Sequence, residues 1–480
     1  SRWNQRSARL SRRFSTASAN TGICHDGVKL HGTGFRLSRP EAALLGLGKR
    51  VGLEKHIRPY RNGRDLQSSS RDFLVIDLYG LNADQVRLQF PEVYQHLLSE
   101  VRDKIDERGN KGGRAWNNRQ SYRDKWWIFG EPREEMRPAL AGLSAFVGTV
   151  DTARHRVFQF VDGDVICDDK VVIAASDDGF HIGVLSSRVH VTWSLRAGGW
   201  LGVGNDSVYV KSRCFDPFPF PDPPEALKSR IRAVAEELDA HRKARQAEHP
   251  RLTLTQMYNV LEKLRGSPVA PGGSPPGSRP PGASDDLTPA EETIKDQGLV
   301  LILCELHDKL DALVFEAYGW PADLADEDIL ERLVALNKER ALEEKAGKIR
   351  WLRPDYQIPR FGSDAERARL SEEKRKTREA DKLRPRQGAL DLDDDLREML
   401  PGEDPDKPRY PTSDELAETA AVMRVLATTP EPVSITAIAR SFSQGRQVEK
   451  RVASTMLALA RLGHLASPDG GETFTLRRTG

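Results

Sequence analysis

The chain has 480 residues, 38% hydrophobic and 30% charged, with a formal net charge of +2; that length accommodates roughly two to four domains, each able to bury a core. No run of 18 apolar residues occurs, which excludes a sequence-evident membrane helix and leads us to expect a cytoplasmic protein. The four cysteines, Cys24, Cys167, Cys214 and Cys304, include no CxxC pair, which argues against a structural zinc site or a disulfide framework and for reduced, partly buried thiols.

Charge is unevenly placed. Residues 1–71 hold 15 Arg and Lys against four acids, a block of +11 that favours a polyanionic partner. Residues 1–25 show no periodicity. Their Ser/Arg-rich composition also fits an organellar transit peptide, but the chain begins without Met and we expect the middle of a longer reading frame. Pro40–Leu47 pairs Pro with Glu at a helix start. Leu53–Asp65 is basic with Tyr60 interleaved, and reads either as a phosphate-contacting segment or as a solvated surface loop. Phe73–Leu78 is predicted to be a buried strand. Val93, Leu97, Val101 and Ile105 recur every four residues, predicting a helix within Val86–Asp106. Residues 109–125 form a polar, cationic loop with three glycines. Trp126–Phe129 is read as a strand, and a helix follows in the stretch GEPREEMRPALAGL.

Strands are expected within Phe146–Phe160 and at Val171–Ala175. Phe180–Leu195 has the composition of a helix starting at Asp177-Asp178. Gly198–Asp206 is turn-rich. Asp216–Pro221 alternates Phe with Pro and must be extended, because each proline fixes its own φ and pushes its predecessor out of the helical region. Glu225–Leu264 reads as two helices broken at His249-Pro250, forming an antiparallel hairpin. Residues 266–286 are a Pro/Gly/Ser linker. Leu299–Ala317 is an apolar helix stopped by Gly319-Trp320-Pro321, and Asp326–Lys348 is another. Residues 361–410 are dense in mixed charge and read as a solvated helix followed by disorder. In the last 70 residues, helices at Asp414–Ala427, Ser434–Phe442 and Val448–Leu462 precede two short strands, the order of a winged helix. Such modules bind DNA through the third helix, here carrying Lys450 and Arg451, or dock proteins.

The motifs carry little chemistry of their own. A methyltransferase needs a Gly-rich cofactor loop after a strand, and one acting on a DNA amine needs an Asn/Asp-Pro-Pro-aromatic motif to hold the flipped base. Neither occurs. Gly202–Asp206 is a glycine cluster with no helix after it and reads as a turn. Asp216-Pro217-Phe218 and Asp222-Pro223-Pro224 imitate the catalytic motif without a cofactor fold before them. Asp177-Asp178 reads as a helix cap rather than a metal site. His155, between Arg154 and Arg156, either contacts phosphate or caps a strand.

Several motifs in order nevertheless resemble one family. KWWIFGEPR (Lys125–Arg133), ARHRVFQF (Ala153–Phe160), IGVLSSRVHVTWSLRAGG (Ile182–Gly199) and YVKSRCFDPFPFP (Tyr209–Pro221) look like the target-recognition region of adenine-specific DNA methyltransferases. The relatives in question are type IIL restriction–modification enzymes and those of DISARM or BREX phage defence. GLEKHIRPYRNGRDL (Gly52–Leu66) resembles the junction after the catalytic domain there, and ELHDKLDALVFEAYGWP (Glu305–Pro321) the helical segment downstream. The resemblance spans roughly residues 25–360.

It implies transfer of a methyl group from S-adenosylmethionine to adenine N6 by a catalytic domain upstream of this region. The catalytic and cofactor motifs are missing from the 480 residues, so no catalytic residue and no cofactor is assigned to this chain, and S-adenosylmethionine belongs with the absent domain. Recognition carries over.

The expected fold class is α+β. A basic remnant or junction (1–66) precedes a mixed α/β target-recognition domain (67–265). The linker (266–286), a helical segment (287–360), a charged linker (361–410) and a winged-helix-like domain (411–480) follow. Expected DNA-contacting residues are Arg58, Arg61, Arg64, Arg114, Asn117, Asn118, Arg119, Arg123, His155, Arg156, Lys450 and Arg451. Arginine can pair bidentately with guanine and asparagine with adenine. Expected partners are double-stranded DNA, an upstream methyltransferase catalytic domain or subunit, and other defence-system proteins, with no membrane. The alternative is a non-enzymatic docking subunit of a defence complex.

Overall fold

The structure is a computed structural model describing residues 17–106, 108–201, 206–266, 287–383, 407–411, 415–429, 432–444, 448–461, 464–466 and 473–476. It is an α+β protein that divides into two compact units, one running to Glu373 and one from Lys374.

The first unit is built on a four-stranded antiparallel sheet in the order Cys24–Asp26, Val171–Ala174, Ala145–Val150, Phe158–Asp162. Alternate side chains of a strand point to opposite faces, and here each face has its own core. Val147, Val172 and Ala174 join one hydrophobic cluster, whereas Phe146, Val171 and Ile173 join another. This is why VVIA has no polar partner set: a strand covered on both sides reads as a continuous apolar run.

On one face lie helices. Gly179–Ser186 is buried at every position, as a helix apolar all round must be. It packs on Glu225–Glu248 so closely that a Cβ at Gly183 would stand 2.6 Å from Ile231 Cγ2. Val300–Tyr318 closes this layer. On the other face, a second four-stranded sheet takes the order Arg36–Leu37, Leu74–Ile76, Ile57–Arg61, Ile166–Cys167, with Tyr60 and Ile166 in parallel register.

The segment Asp216–Pro221 runs through the helical core without joining a sheet. Proline leaves it few donors, so its carbonyls must find partners elsewhere. Asn20 Nδ2 donates to the carbonyls of Phe215, Asp216 and Phe218 at 2.9, 3.1 and 2.8 Å. Asn337 Nδ2 donates to Pro217 O at 2.6 Å and the Tyr318 hydroxyl to Pro219 O at 2.9 Å. Phe218 is fully buried, edge-on to His190 at 4.3 Å and to Phe220 at 5.0 Å.

The edge strand Phe158–Asp162 is closed by side chains of the long helix. Asp239 accepts from Phe160 N at 3.2 Å, and Arg242 donates to Phe158 O at 2.8 Å. Arg242 also donates to the Tyr258 hydroxyl, which pairs with His307 Nε2 at 2.8 Å.

Several local expectations shift. Trp126–Phe129 is a turn, not a strand. The helix expected within Val86–Asp106 is broken at Phe90: Ala83–Gln89 ends there and Pro91–Leu97 starts anew with Pro91 as its first residue, where a missing N–H costs nothing. Phe180–Leu195 is two helices, divided at Ser187, whose ψ of 158° is extended. The second, Arg188–Ala197, receives its cap from afar, with Arg188 N donating to Asp311 Oδ1 at 2.7 Å. Helices Glu225–Glu248 and Leu254–Leu264 flank the break at His249-Pro250, but the first packs chiefly on Gly179–Ser186 and Val300–Tyr318 and the second on Pro289–Gly298 and Val300–Tyr318, rather than on each other.

Two local readings hold, a helix cap and a helix stop. Asp178 caps its helix, its carboxylate accepting from Phe180 N at 2.8 Å. Gly319 ends Val300–Tyr318 in a left-handed conformation, φ 68°. All four cysteines are free thiols. Among the described residues no helix is long and apolar enough to cross a membrane and no cluster fits a metal. Residues 1–16, the glycine turn at 202–205, the linker at 267–286 and residues 384–406 lie outside the described residues.

In the second unit, helices Glu415–Thr428, Ile435–Ala439 and Glu449–Arg461 enclose Tyr410, Val422, Ile438, Val452 and Met456. A three-stranded sheet takes the order Val433–Ser434, Thr473–Leu476, Leu465–Ala466. Ser434 caps the second helix, its hydroxyl accepting from Ala437 N.

Candidate nucleic-acid interface

The cationic loop expected at 109–125 is a built platform. Asp106 starts it as a turn, its Oδ1 accepting from the N–H groups of Arg108 and Asn110 at 2.9 and 2.7 Å. Ile105 then bridges Lys111 in antiparallel register. Gly113 presses on the preceding chain, where a Cβ would lie 2.3 Å from Arg102 O. No other residue fits there without moving backbone.

Arg114 fixes the rest. Its side chain turns inward, 4% exposed. Nε donates to His31 O at 3.0 Å, Nη2 to Leu30 O at 2.6 Å, and Nη1 to Ile128 O at 2.6 Å. Nη1 also reaches the carbonyls of Lys125 and Trp126, each at 3.4 Å. The guanidinium lies 5.0 Å from the Phe35 ring centroid and 5.4 Å from that of Tyr122. Burial pushes its pKa down to about 10, so it stays charged at neutral pH.

The outward side chains are the remaining cations and amides. Asn118, Arg119 and Arg123 are exposed. Arg119 Nη1 donates to the Tyr122 hydroxyl at 3.1 Å, and Arg123 Nη1 to Asn117 O. Asn117 Oδ1 accepts from Arg119 N at 2.9 Å, which shapes the turn before the short helix Gln120–Asp124. Residues 108–125 hold six Arg and Lys and one Asp. With Arg114 inside, the outer surface keeps five of those cations, and a positive field of this kind draws polyanions.

Two residues expected to contact DNA are corrected. Arg114 is committed to five carbonyls inside the protein. Arg156, 6% exposed, donates through Nη2 to Ser207 O and Oγ, both at 2.9 Å, and through Nη1 to Val150 O. It ties strand Ala145–Val150 to the hairpin of Gly199–Leu201 and Asp206–Val208. A buried guanidinium that satisfies carbonyls costs a great deal to withdraw, so neither is available to a base.

The other expected residues are spread out. Arg58 is half-buried and holds the turn at Gly163-Asp164, its Nε donating to Asp164 O at 2.8 Å and Nη2 to Gly163 O at 3.1 Å. Arg61 is half-buried at the end of the same strand, and Arg64 is exposed in the first turn of helix Gly63–Gln67. His155 Nε2 pairs with Asn259 Oδ1 at 2.7 Å, and burial lowers its pKa. In the second unit Arg451 is ion-paired with Glu418 at 2.6 Å, and the side chain of Lys450 lies outside the described residues. Of the expected set, Asn117, Asn118, Arg119 and Arg123 lie together on the 109–125 loop.

Sequence reading missed the neighbours that complete this surface. Trp116 is 40% exposed and Ile105 56% exposed, and Lys111 Nζ sits 5.4 Å from the Trp116 ring centroid. The signal available was Trp116 itself, an aromatic within a glycine-rich basic loop.

No family model matches the sequence, and no curated protein matches it. Among solved structures the chain is similar to a type IIL restriction–modification enzyme, MmeI, solved in complex with DNA, with a TM-score of 0.46 and 16% identity. The match covers 68% of this chain and 37% of that enzyme, so the chain spans little more than a third of its length.

Proposed function

We propose that this chain is the DNA-binding, target-recognition portion of a site-specific, S-adenosylmethionine-dependent adenine-N6 DNA methyltransferase of a restriction–modification or phage-defence system. The observation that carries the reading is the 105–125 platform: a rigidly mounted loop offering Asn117, Asn118, Arg119 and Arg123 over a cationic surface. Phosphate contacts supply affinity and register, while arginine and asparagine supply the hydrogen-bonding pairs for guanine and adenine edges. The motif order from Lys125 to Pro221 supports the family. In this reading the second unit is a winged-helix-like accessory module. No residue of the 480 is assigned to methyl transfer; S-adenosylmethionine and the catalytic motif belong to a domain or subunit that acts with this one.

Binding of the full chain to duplex DNA across salt concentrations tests the reading. Affinity is expected to fall by orders of magnitude between about 50 and 200 mM salt if several phosphates are neutralised. Replacing Arg119 and Arg123 together with Ala should flatten the log–log slope by about two. Absence of duplex binding at low salt would sink the reading.

A further inference from the structure

Trp116 stands apart from other tryptophans of the first unit. Trp193 is fully buried and Trp126 is 7% exposed, whereas Trp116 keeps 40% of its surface in water. Its indole Nε1 has no hydrogen-bond partner among the described residues. An exposed indole on a floppy loop means little, but this loop is not floppy. Gly113, three residues before Trp116, is pressed against Arg102 and Lys104, and Arg114 is held by five carbonyls. Trp116 N itself donates to Gly113 O at 3.3 Å.

The surroundings choose the partner. Lys111 stands over the ring, Ile105 extends the apolar surface, and Arg108, Arg119, Arg123 and Lys125 are exposed nearby in sequence on the same loop. The acids of the stretch are Asp106, Glu107 and Asp124, and Asp106 is occupied in the turn at Arg108–Asn110. An apolar patch rimmed by cations suits a nucleic acid, whose sugars and bases offer apolar and π surface between phosphates.

We propose that Trp116 is a nucleic-acid-contacting residue, its indole packing on the sugar–base edge of duplex DNA while the flanking arginines hold phosphates. This rests on the DNA-recognition reading above and adds to it a contact that is apolar and therefore insensitive to salt. Arg114 is the positioning residue for it.

The test uses the full chain and a random-sequence duplex as probe, titrated across salt for the parent, Trp116→Ala and the Arg119→Ala/Arg123→Ala pair. Trp116→Ala is expected to weaken binding about 5- to 100-fold with the salt slope unchanged, while the double variant lowers the slope by about two. A duplex substituted with 4-thiothymidine should cross-link, in the unmutated chain, to the peptide that contains Trp116, a readout independent of whether the Ala variant folds well. Undiminished binding by Trp116→Ala, or cross-links that map only to other peptides, would overturn the proposal while leaving DNA recognition standing. A parent chain that binds no duplex would overturn both.

Discussion

Two irregular stretches of the first unit solve one problem in opposite ways. Asp216–Pro221 and the segments that border the 105–125 loop, Leu30–His31 and Lys125–Ile128, both present backbone carbonyls to a side chain, and in both a planar side chain donates to several at once. For the proline segment the donors are Asn20, Asn337 and Tyr318, reached from distant parts of the chain, and the phenylalanines point inward. For the loop the donor is its own Arg114, and what points outward is cationic and aromatic. A satisfied backbone thus does not distinguish a core segment from an exposed cationic surface. The direction of the remaining side chains does.

The sharpest way to break the comparison is inside the proline segment. Phe218→Ala removes a fully buried ring from between His190 and Phe220, and should destabilise the first unit by about 3–5 kcal/mol in urea unfolding. A loss below about 1 kcal/mol would show that the segment is not part of the core.

Next is the loop's own anchor. Arg114→Lys keeps the charge but cannot reproduce a five-carbonyl fork, and leaving those carbonyls unpaired should cost about 2–3 kcal/mol. Amide exchange should accelerate across 105–128, and DNA binding should weaken without a lower salt slope. A slope reduced by about one would instead mark Arg114 as a phosphate contact.

The smallest effect comes from the histidines that line the proline segment. Burial pushes His190 down to about 3 and His181 to about 4. The folded pKa lies below the unfolded value, so stability is intact above about pH 6.5 and is lost as pH falls toward those values, because the unfolded chain takes up protons that the folded one refuses. Asp216, raised by burial to about 6, works the other way: its penalty appears as pH rises from about 4 to 6 and is relieved by acid, offsetting part of the loss. The balance should be on the order of 2 kcal/mol lost between pH 7 and 5, read from thermal or urea midpoints. A flat profile would argue against sealed imidazoles there.

What could be read in advance followed locality. The strand at Val171, the caps at Asp178 and Ser434, the break at His249-Pro250 and the stop at Gly319 each depend on residues within a few positions, and all appear. WWIF looked like a strand because Trp126 and Phe129 are buried, yet Arg114 takes the carbonyls of Lys125, Trp126 and Ile128 that a neighbouring strand would need. That partnership runs to His31 and Leu30, 83 and 84 positions away, and nothing local announces it. The same distance hid the burial of Arg114 and Arg156: as residue types they are what a base reader needs, and only the fold turns them inward. The exposure of Asn118, Arg119 and Arg123 was legible from the polar stretch that carries them.

The central sheet gives one face to each of two hydrophobic clusters, so it is a party wall rather than a floor. Neither the helical layer nor the layer that carries the 105–125 loop owns it. Phe146 and Val147 are neighbours in the chain and belong to different interiors. A change of volume on one side is transmitted to the other through a backbone that has no free face on which to relax. The two layers must then melt together and drift in sequence together, while the loop at 105–125, mounted beside the wall and not within it, stays free to change.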